Sequence, residues 1–120
     1  MERLQDSVVL VEGKKDERAL EPYMESGKIL KAAGRLETAC RMASEIFRAW
    51  GNETGGEAIV LMDRDSAGEE LAVMAKGELE SNSIKADLET RKRLMAILRL
   101  THIENFEKKY KEKLEELKEN

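Results

Sequence analysis

The sequence predicts an α/β fold: a small parallel four-stranded sheet flanked by helices, with a charged C-terminal helix. Two observations predict it. Short apolar runs of strand length, Val8–Val11 and residues 58–62, alternate with stretches whose apolar residues recur at helical spacing. Each of these two runs also ends in an acidic cluster, Glu12-Gly13-Lys14-Lys15-Asp16 and Asp63-Arg64-Asp65-Ser66-Ala67-Gly68. Open α/β sheets carry their chemistry at the carboxyl ends of strands.

Val8–Val11 is β-branched and continuous, as a strand buried on both faces should be. Residues 16–24 read as a short helix with Asp16 as its cap, broken at Gly27-Lys28. Ile29-Leu30 begins a second, weaker strand ending near Gly34. Leu36, Ala39, Cys40, Ala43, Ile46, Phe47 and Trp50 keep helical spacing, and Gly51 ends that helix. Residues 52–57 form a glycine-bearing loop before the clearest strand, residues 58–62. Ser66-Ala67-Gly68-Glu69 has the pattern of a capping box and opens a helix through Leu71, Met74, Ala75 and Leu79. Residues 84–86 form a short fourth strand. Asp87 caps a helix over residues 88–100, and Thr101-His102-Ile103-Glu104 opens the last one. The resulting β-α-β-α-β-α-β-α-α order implies right-handed crossovers with helices on both faces. We expect one domain over residues 1–100 and a C-terminal amphipathic helix over 101–120.

Composition narrows the chemistry. The chain has 120 residues, 41% hydrophobic, 38% charged and 4% aromatic, with one proline, so it builds one aliphatic core. Apolar runs reach only about five residues, too short to span a membrane, and residues 1–6 lack an apolar signal region. A cytoplasmic location is expected. Cys40 is the single cysteine and His102 the single histidine, which excludes a Cys/His zinc site and an intrachain disulfide. The same scarcity argues against nucleophilic catalysis by Ser-His or Cys-His pairs. Residues 1–90 carry net charge −7 and residues 91–120 carry +3. Nucleic acid would therefore be met through a local basic face and bridging cations rather than through bulk charge.

The carboxylates Glu12, Asp63 and Asp65 are the candidate site, expected to converge as ligands on one divalent metal ion. Two carboxylates about 4 Å apart repel by ~1 kcal/mol in water and ~4 kcal/mol near a protein surface. A hard divalent ion such as Mg²⁺, which prefers oxygen ligands, relieves that repulsion. Extended backbone through Asp63-Arg64-Asp65 sends both aspartates to one side. Gly13 offers an exit from the first strand, and Gly68 allows close backbone approach at a helix N-terminus that favours negative charge. A calcium-loop reading fails, because Ala67 and Met74 fall where the fifth and twelfth positions require oxygen ligands. A haloacid-dehalogenase-type phosphatase reading fits poorly as well, since Ala67 stands where a Thr or Val is usual and the motif lies mid-chain.

Strand, Glu-Gly-x-x-Asp and helix, then a strand-helix unit, then strand and Asp-x-Asp-x-x-Gly: this order resembles the Toprim family, over roughly residues 5–100. Toprim domains occur in topoisomerases, bacterial primases, OLD-type nucleases, recombination mediators and ribosomal-RNA maturation nucleases. The chain looks most like the small stand-alone prokaryotic Toprim proteins. The resemblance implies a Rossmann-like Toprim fold, Glu12 as general acid or base at the metal site, and Asp63 and Asp65 as ligands of Mg²⁺, with Mn²⁺ as an alternative. Tyr23 and Tyr110 read as packing residues rather than topoisomerase nucleophiles, and one cysteine cannot supply a recombination mediator's four-cysteine site.

The expected activity is Mg²⁺-dependent phosphodiester hydrolysis or transfer on DNA or RNA. Lys14, Lys15, Arg18 and Arg64 are candidate phosphate contacts, with ordinary solvated charge as the competing reading. The rival function is a non-catalytic metal-binding module that meets nucleic acid or protein inside a larger complex. Small-molecule phosphate chemistry is a third option. Arg91-Lys92-Arg93, Arg99, Lys108, Lys109 and Lys111 are a candidate basic face. Phe106, Tyr110, Leu114 and Leu117 form one apolar stripe, which either docks on the domain itself or pairs two subunits as a homodimer. Met24, Met42, Met62, Met74 and Met95 are expected in the core, and Cys40 as a buried thiol. Trp50 is expected to pack at its helix end, and His102, beside Thr101, to be structural or exposed.

Overall fold

A computed structural model describes residues 7–23, 28–51, 56–98 and 102–119. Four strands, β1 (Val8–Val11), β2 (Lys28–Lys31), β3 (Glu57–Leu61) and β4 (Lys85–Asp87), form one parallel sheet in the order β2-β1-β3-β4. Among the described residues five α-helices accompany it: α1 (Lys14–Leu20), α2 (Leu36–Ala49), α3 (Ser66–Ser81), α4 (Glu89–Leu98) and α5 (Phe106–Glu119). Short 3₁₀ turns at Glu21–Tyr23 and Ile103–Asn105 follow α1 and precede α5. This is a Rossmann-like α/β fold.

The sequence of the two central strands explains their position. All of β1, and all of β3 after Glu57, is buried, as an apolar run covered on both faces must be. Val8, Leu10, Ala58 and Val60 face α2 and α3, where they meet Ala39, Cys40, Ala43, Phe47, Ala72, Ala75 and Leu79. Val9, Val11, Ile59 and Leu61 face the other way, onto Leu20 of α1, Met95 and Leu98 of α4, and Ile103. The change of face has a reason. The chain steps from β1 outward to β2, then returns past β1 to β3 and continues to β4, and a right-handed crossover puts opposite steps on opposite faces.

Local chemistry sets the ends of several elements. The turn from Ala32 to Arg35, closed by a 3.0 Å backbone hydrogen bond, runs through Gly34 at φ +73°, a conformation that favours glycine. Asp87 caps α4, accepting from the backbone N–H of Glu89 and of Thr90, each at 3.0 Å. Cys40 is fully buried, and burial pushes its thiol up to about 11, as an inert core residue requires.

Several sequence expectations need correction. α1 starts at Lys14 rather than at residue 16, so Asp16 is not the cap residue. It lies in the first turn and accepts from the Gly13 backbone N–H at 3.1 Å, reaching back as the acidic member of a capping box does. α3 buries Gly68, Ala72, Ala75 and Leu79, which turns Met74 to solvent at 56% exposure. Met42 is also exposed, whereas Met62 and Met95 are core. Met24, Arg99 and Thr101 lie outside the described residues. Trp50 packs edge-on against Phe47, ring centroids 6.0 Å apart, and stays half exposed. Tyr110 of α5 packs edge-on against Tyr23, centroids 5.2 Å apart, so the first half of α5 docks on the domain. Further along the same helix Leu114 and Leu117 are exposed. Among the described residues no helix is long and apolar enough to cross a membrane.

Candidate metal centre

The strand order creates the site. β1 and β3 are neighbours, paired Val11 to Leu61, but their following helices lie on opposite faces of the sheet. The carboxyl ends of β1 and β3 therefore flank a topological switch point, where open α/β sheets leave a crevice. Glu12 follows β1 directly, and Asp63 follows β3 by two residues.

Glu12 is fixed from both neighbouring strands. Its backbone carbonyl accepts from Ala33 N–H at 3.0 Å, and its Oε1 accepts from Asp63 N–H at 2.9 Å. Burial raises the pKa of its carboxyl above the ordinary value. The hydrogen bond from Asp63 opposes this, the charges of Asp63 and Asp65 raise it further, and His102 lowers it.

Asp65 has two functions. As the N-cap of α3, in extended conformation, it accepts from Gly68 N–H through Oδ1 at 2.7 Å. The expected cap at Ser66 is therefore displaced by one residue. Its other oxygen, Oδ2, lies 3.4 Å from Nε2 of His102. Asp63 Oδ1 in turn accepts from Ile103 N–H at 2.7 Å, and Ile103 is completely buried. Burial of Ile103 and this hydrogen bond together bring the neighbouring His102 to Asp65. One ligand atom each from Asp63, Asp65 and His102 lies within 4.8 Å of the others. Two carboxylates and an imidazole are a donor set suited to a divalent cation, so the residues present fit the group that the sequence implied. Glu12, expected as a third carboxylate ligand, is not in this set, because its Oε1 is turned to the Asp63 N–H.

Arg91 supports the site from beneath. Its side chain is buried, with Nε donating to Met62 O at 2.8 Å and Nη2 to Asp63 O at 2.9 Å and Glu69 Oε1 at 2.8 Å. The guanidinium fork thus holds the segment that carries Asp63. It also holds the Glu69 carboxyl below its ordinary pKa, chiefly through that hydrogen bond. The sequence offers Arg91 to a candidate basic face, and the structure buries it instead. Its neighbours Lys92 and Arg93 are exposed, and only burial information separates the three.

Gly68 is required by contact. A Cβ there would lie 2.0 Å from Asp63 O and 2.8 Å from Glu12 Oε1. Gly13 is different: its backbone is extended at φ −152°, and a Cβ would meet nothing within 4 Å, so no sharp exit from β1 depends on it. Lys14, Lys15 and Arg18 are exposed on α1 just after Glu12, and Arg64 is exposed between the two aspartates. The C-terminal basic face is diluted by acids on its own helices. Arg93 pairs with Glu89 at 3.5 Å, Lys109 with Glu112 at 3.6 Å and Lys111 with Glu107 at 2.9 Å.

His102, expected to be structural or exposed, has a half-exposed side chain that lies beside Asp65. The signal available was its uniqueness in a chain whose site lacks other nitrogen ligands. No spacing rule connects it to Asp65, because packing of Ile103 makes the connection.

No family model matches the chain, and no curated protein matches it. Among solved structures, a protein from Aquifex aeolicus is similar, at 26% identity, with the match covering 87% of this chain and 92% of that chain and a TM-score of 0.61. That likeness bears on the α/β fold and on nothing finer.

Proposed function

We propose that the protein is a Toprim-type phosphodiesterase that hydrolyses or transfers phosphodiester bonds of DNA or RNA with a divalent cation, Mg²⁺ or Mn²⁺. The observation that carries the reading is the junction of Glu12 and Asp63 at the switch point, with Asp65 beside them. The order of the two acidic motifs supports the Toprim resemblance.

The cation, when bound by Asp63 and Asp65, supplies charge neutralisation for a phosphate and acidifies water. Glu12 holds or moves the proton at its carboxylate, and burial raises its pKa above the ordinary value, the direction a proton carrier needs. Lys14, Lys15, Arg18 and Arg64 orient the phosphate backbone. The openness of the centre favours a polymer over a small phosphate ester. The His102 and Asp65 side chains are 45% and 44% exposed, whereas pockets for small ligands usually bury most of the ligand surface.

One observation favours a second reading, a non-catalytic metal-binding module in a larger complex. The C-terminal lysines and arginines pair with glutamates of their own helices, which leaves less basic surface to grip a nucleic acid alone. A cleavage screen over single- and double-stranded DNA and RNA with Mg²⁺ or Mn²⁺ separates the two. Cleavage that disappears in the Asp63→Ala, Asp65→Ala double variant supports the enzyme. Metal binding without cleavage of any substrate supports the module, and undiminished cleavage by the double variant removes the site.

A further inference from the structure

We propose that His102 is a third protein ligand of the cation, and that it biases the site toward Mn²⁺ or a similar divalent transition ion over Mg²⁺. The proposal rests on the metal-dependent reading of Asp63 and Asp65 and names the ion that reading left open.

The spacing is suitable. Adjacent ligands of an octahedral ion with bonds near 2.1 Å lie about 3 Å apart. Nε2 of His102 and Oδ2 of Asp65 are 3.4 Å apart, so a small movement brings both onto one ion. The imidazole is held there by the chain. Ile103 is buried, and its N–H bonds Asp63 Oδ1, so His102 follows from the same residue that anchors the ligand Asp63. Capping occupies only Oδ1 of Asp65, and Oδ2 is the oxygen that faces the imidazole.

The chemistry decides the ion. Mg²⁺ demands near-ideal octahedral oxygen coordination and retains its waters. Imidazole nitrogen raises affinity for divalent transition ions instead, with Mn²⁺ at the low end of the series and Fe²⁺, Co²⁺ and Zn²⁺ above it. A site of carboxylates alone would discriminate less between Mg²⁺ and Mn²⁺. His102 comes from the segment before α5, so the C-terminal part of the chain completes a centre whose other two ligands follow β3.

The test is Mn²⁺ binding followed by electron paramagnetic resonance, with Mg²⁺ as competitor, on the wild-type chain, His102→Ala, and Asp63→Asn with Asp65→Asn. The half-exposed His102 side chain makes the alanine variant safe for folding, and circular dichroism checks it. The expected result is a nitrogen hyperfine coupling on bound Mn²⁺ that disappears in His102→Ala. Preference for Mn²⁺ over Mg²⁺ should fall in that variant. Mn²⁺ that binds through Asp63 and Asp65, shows no nitrogen coupling and is unaffected by His102→Ala would overturn this inference and leave the proposed function standing. No Mn²⁺ or Mg²⁺ binding at all would overturn both.

Discussion

The backbone N–H of Asp63 donates to Oε1 of Glu12 across 2.9 Å, joining residues 51 positions apart in the chain. Neither residue reaches the other without the β1–β3 pairing, so the hydrogen bond reports the correct sheet as well as the assembled site. It also divides the carboxylates. All three carboxylates accept a backbone N–H, but Asp63 and Asp65 share a group of ligand atoms with His102 and Glu12 does not.

That division predicts a pH dependence of stability. Glu12 is a carboxyl whose folded pKa lies above its ordinary 4.5. Between the two values the folded state binds the proton more tightly than the unfolded state, so stability falls as pH rises through a window that begins near 4.5. Below the window the penalty is absent, and above it the penalty is constant. Glu12→Gln keeps an oxygen for Asp63 N–H and removes the charge. In metal-free buffer, thermal melts should therefore show it more stable than wild type above the window and equal below it. A variant that is less stable at neutral pH contradicts this.

The two motif glycines should behave differently. Gly68→Ala drives a methyl into Asp63 O and Glu12 Oε1, with an expected cost of roughly 1–3 kcal/mol. Gly13→Ala enters open space on extended backbone and should stay within about 1 kcal/mol of wild type. Urea denaturation of the two variants measures the difference, and equal losses would sink the contact argument.

Arg91→Ala should cost about 2–4 kcal/mol, because the carbonyls of Met62 and Asp63 lose a charged donor. Arg91→Lys should recover only part, since one ammonium cannot reproduce the planar fork. Glu69→Gln should cost less than about 1 kcal/mol, as its side chain is exposed. Chemical denaturation compares the three variants, and a neutral Arg91→Ala removes the support assigned to it.

Much of the fold was legible in the sequence, because uninterrupted apolar runs such as Val8–Val11 have few alternatives to a covered parallel strand. The acidic residues at the strand ends were legible for the same reason: register carries them to the sheet's edge. Long-range consequences were not. Arg91, Lys92 and Arg93 look alike in sequence, and only the packing of α4 buries the first. Asp65 and Ser66 are both good cap residues, and the exit of β3 chooses Asp65. Met74 fits an apolar helical face in sequence, but small Ala72 and Ala75 let α3 approach the sheet along another line. His102 comes to Asp65 through the burial of Ile103, which no local pattern encodes.

The central claim is that Glu12 carries a proton while Asp63 and Asp65 hold the ion. Its most direct test is single-turnover cleavage and Mn²⁺ affinity measured side by side for wild type and Glu12→Gln, on a substrate that the wild-type chain cuts. The account predicts Mn²⁺ affinity close to wild type, with cleavage slowed by roughly 10²–10⁴-fold. Cleavage at the wild-type rate by Glu12→Gln would contradict it.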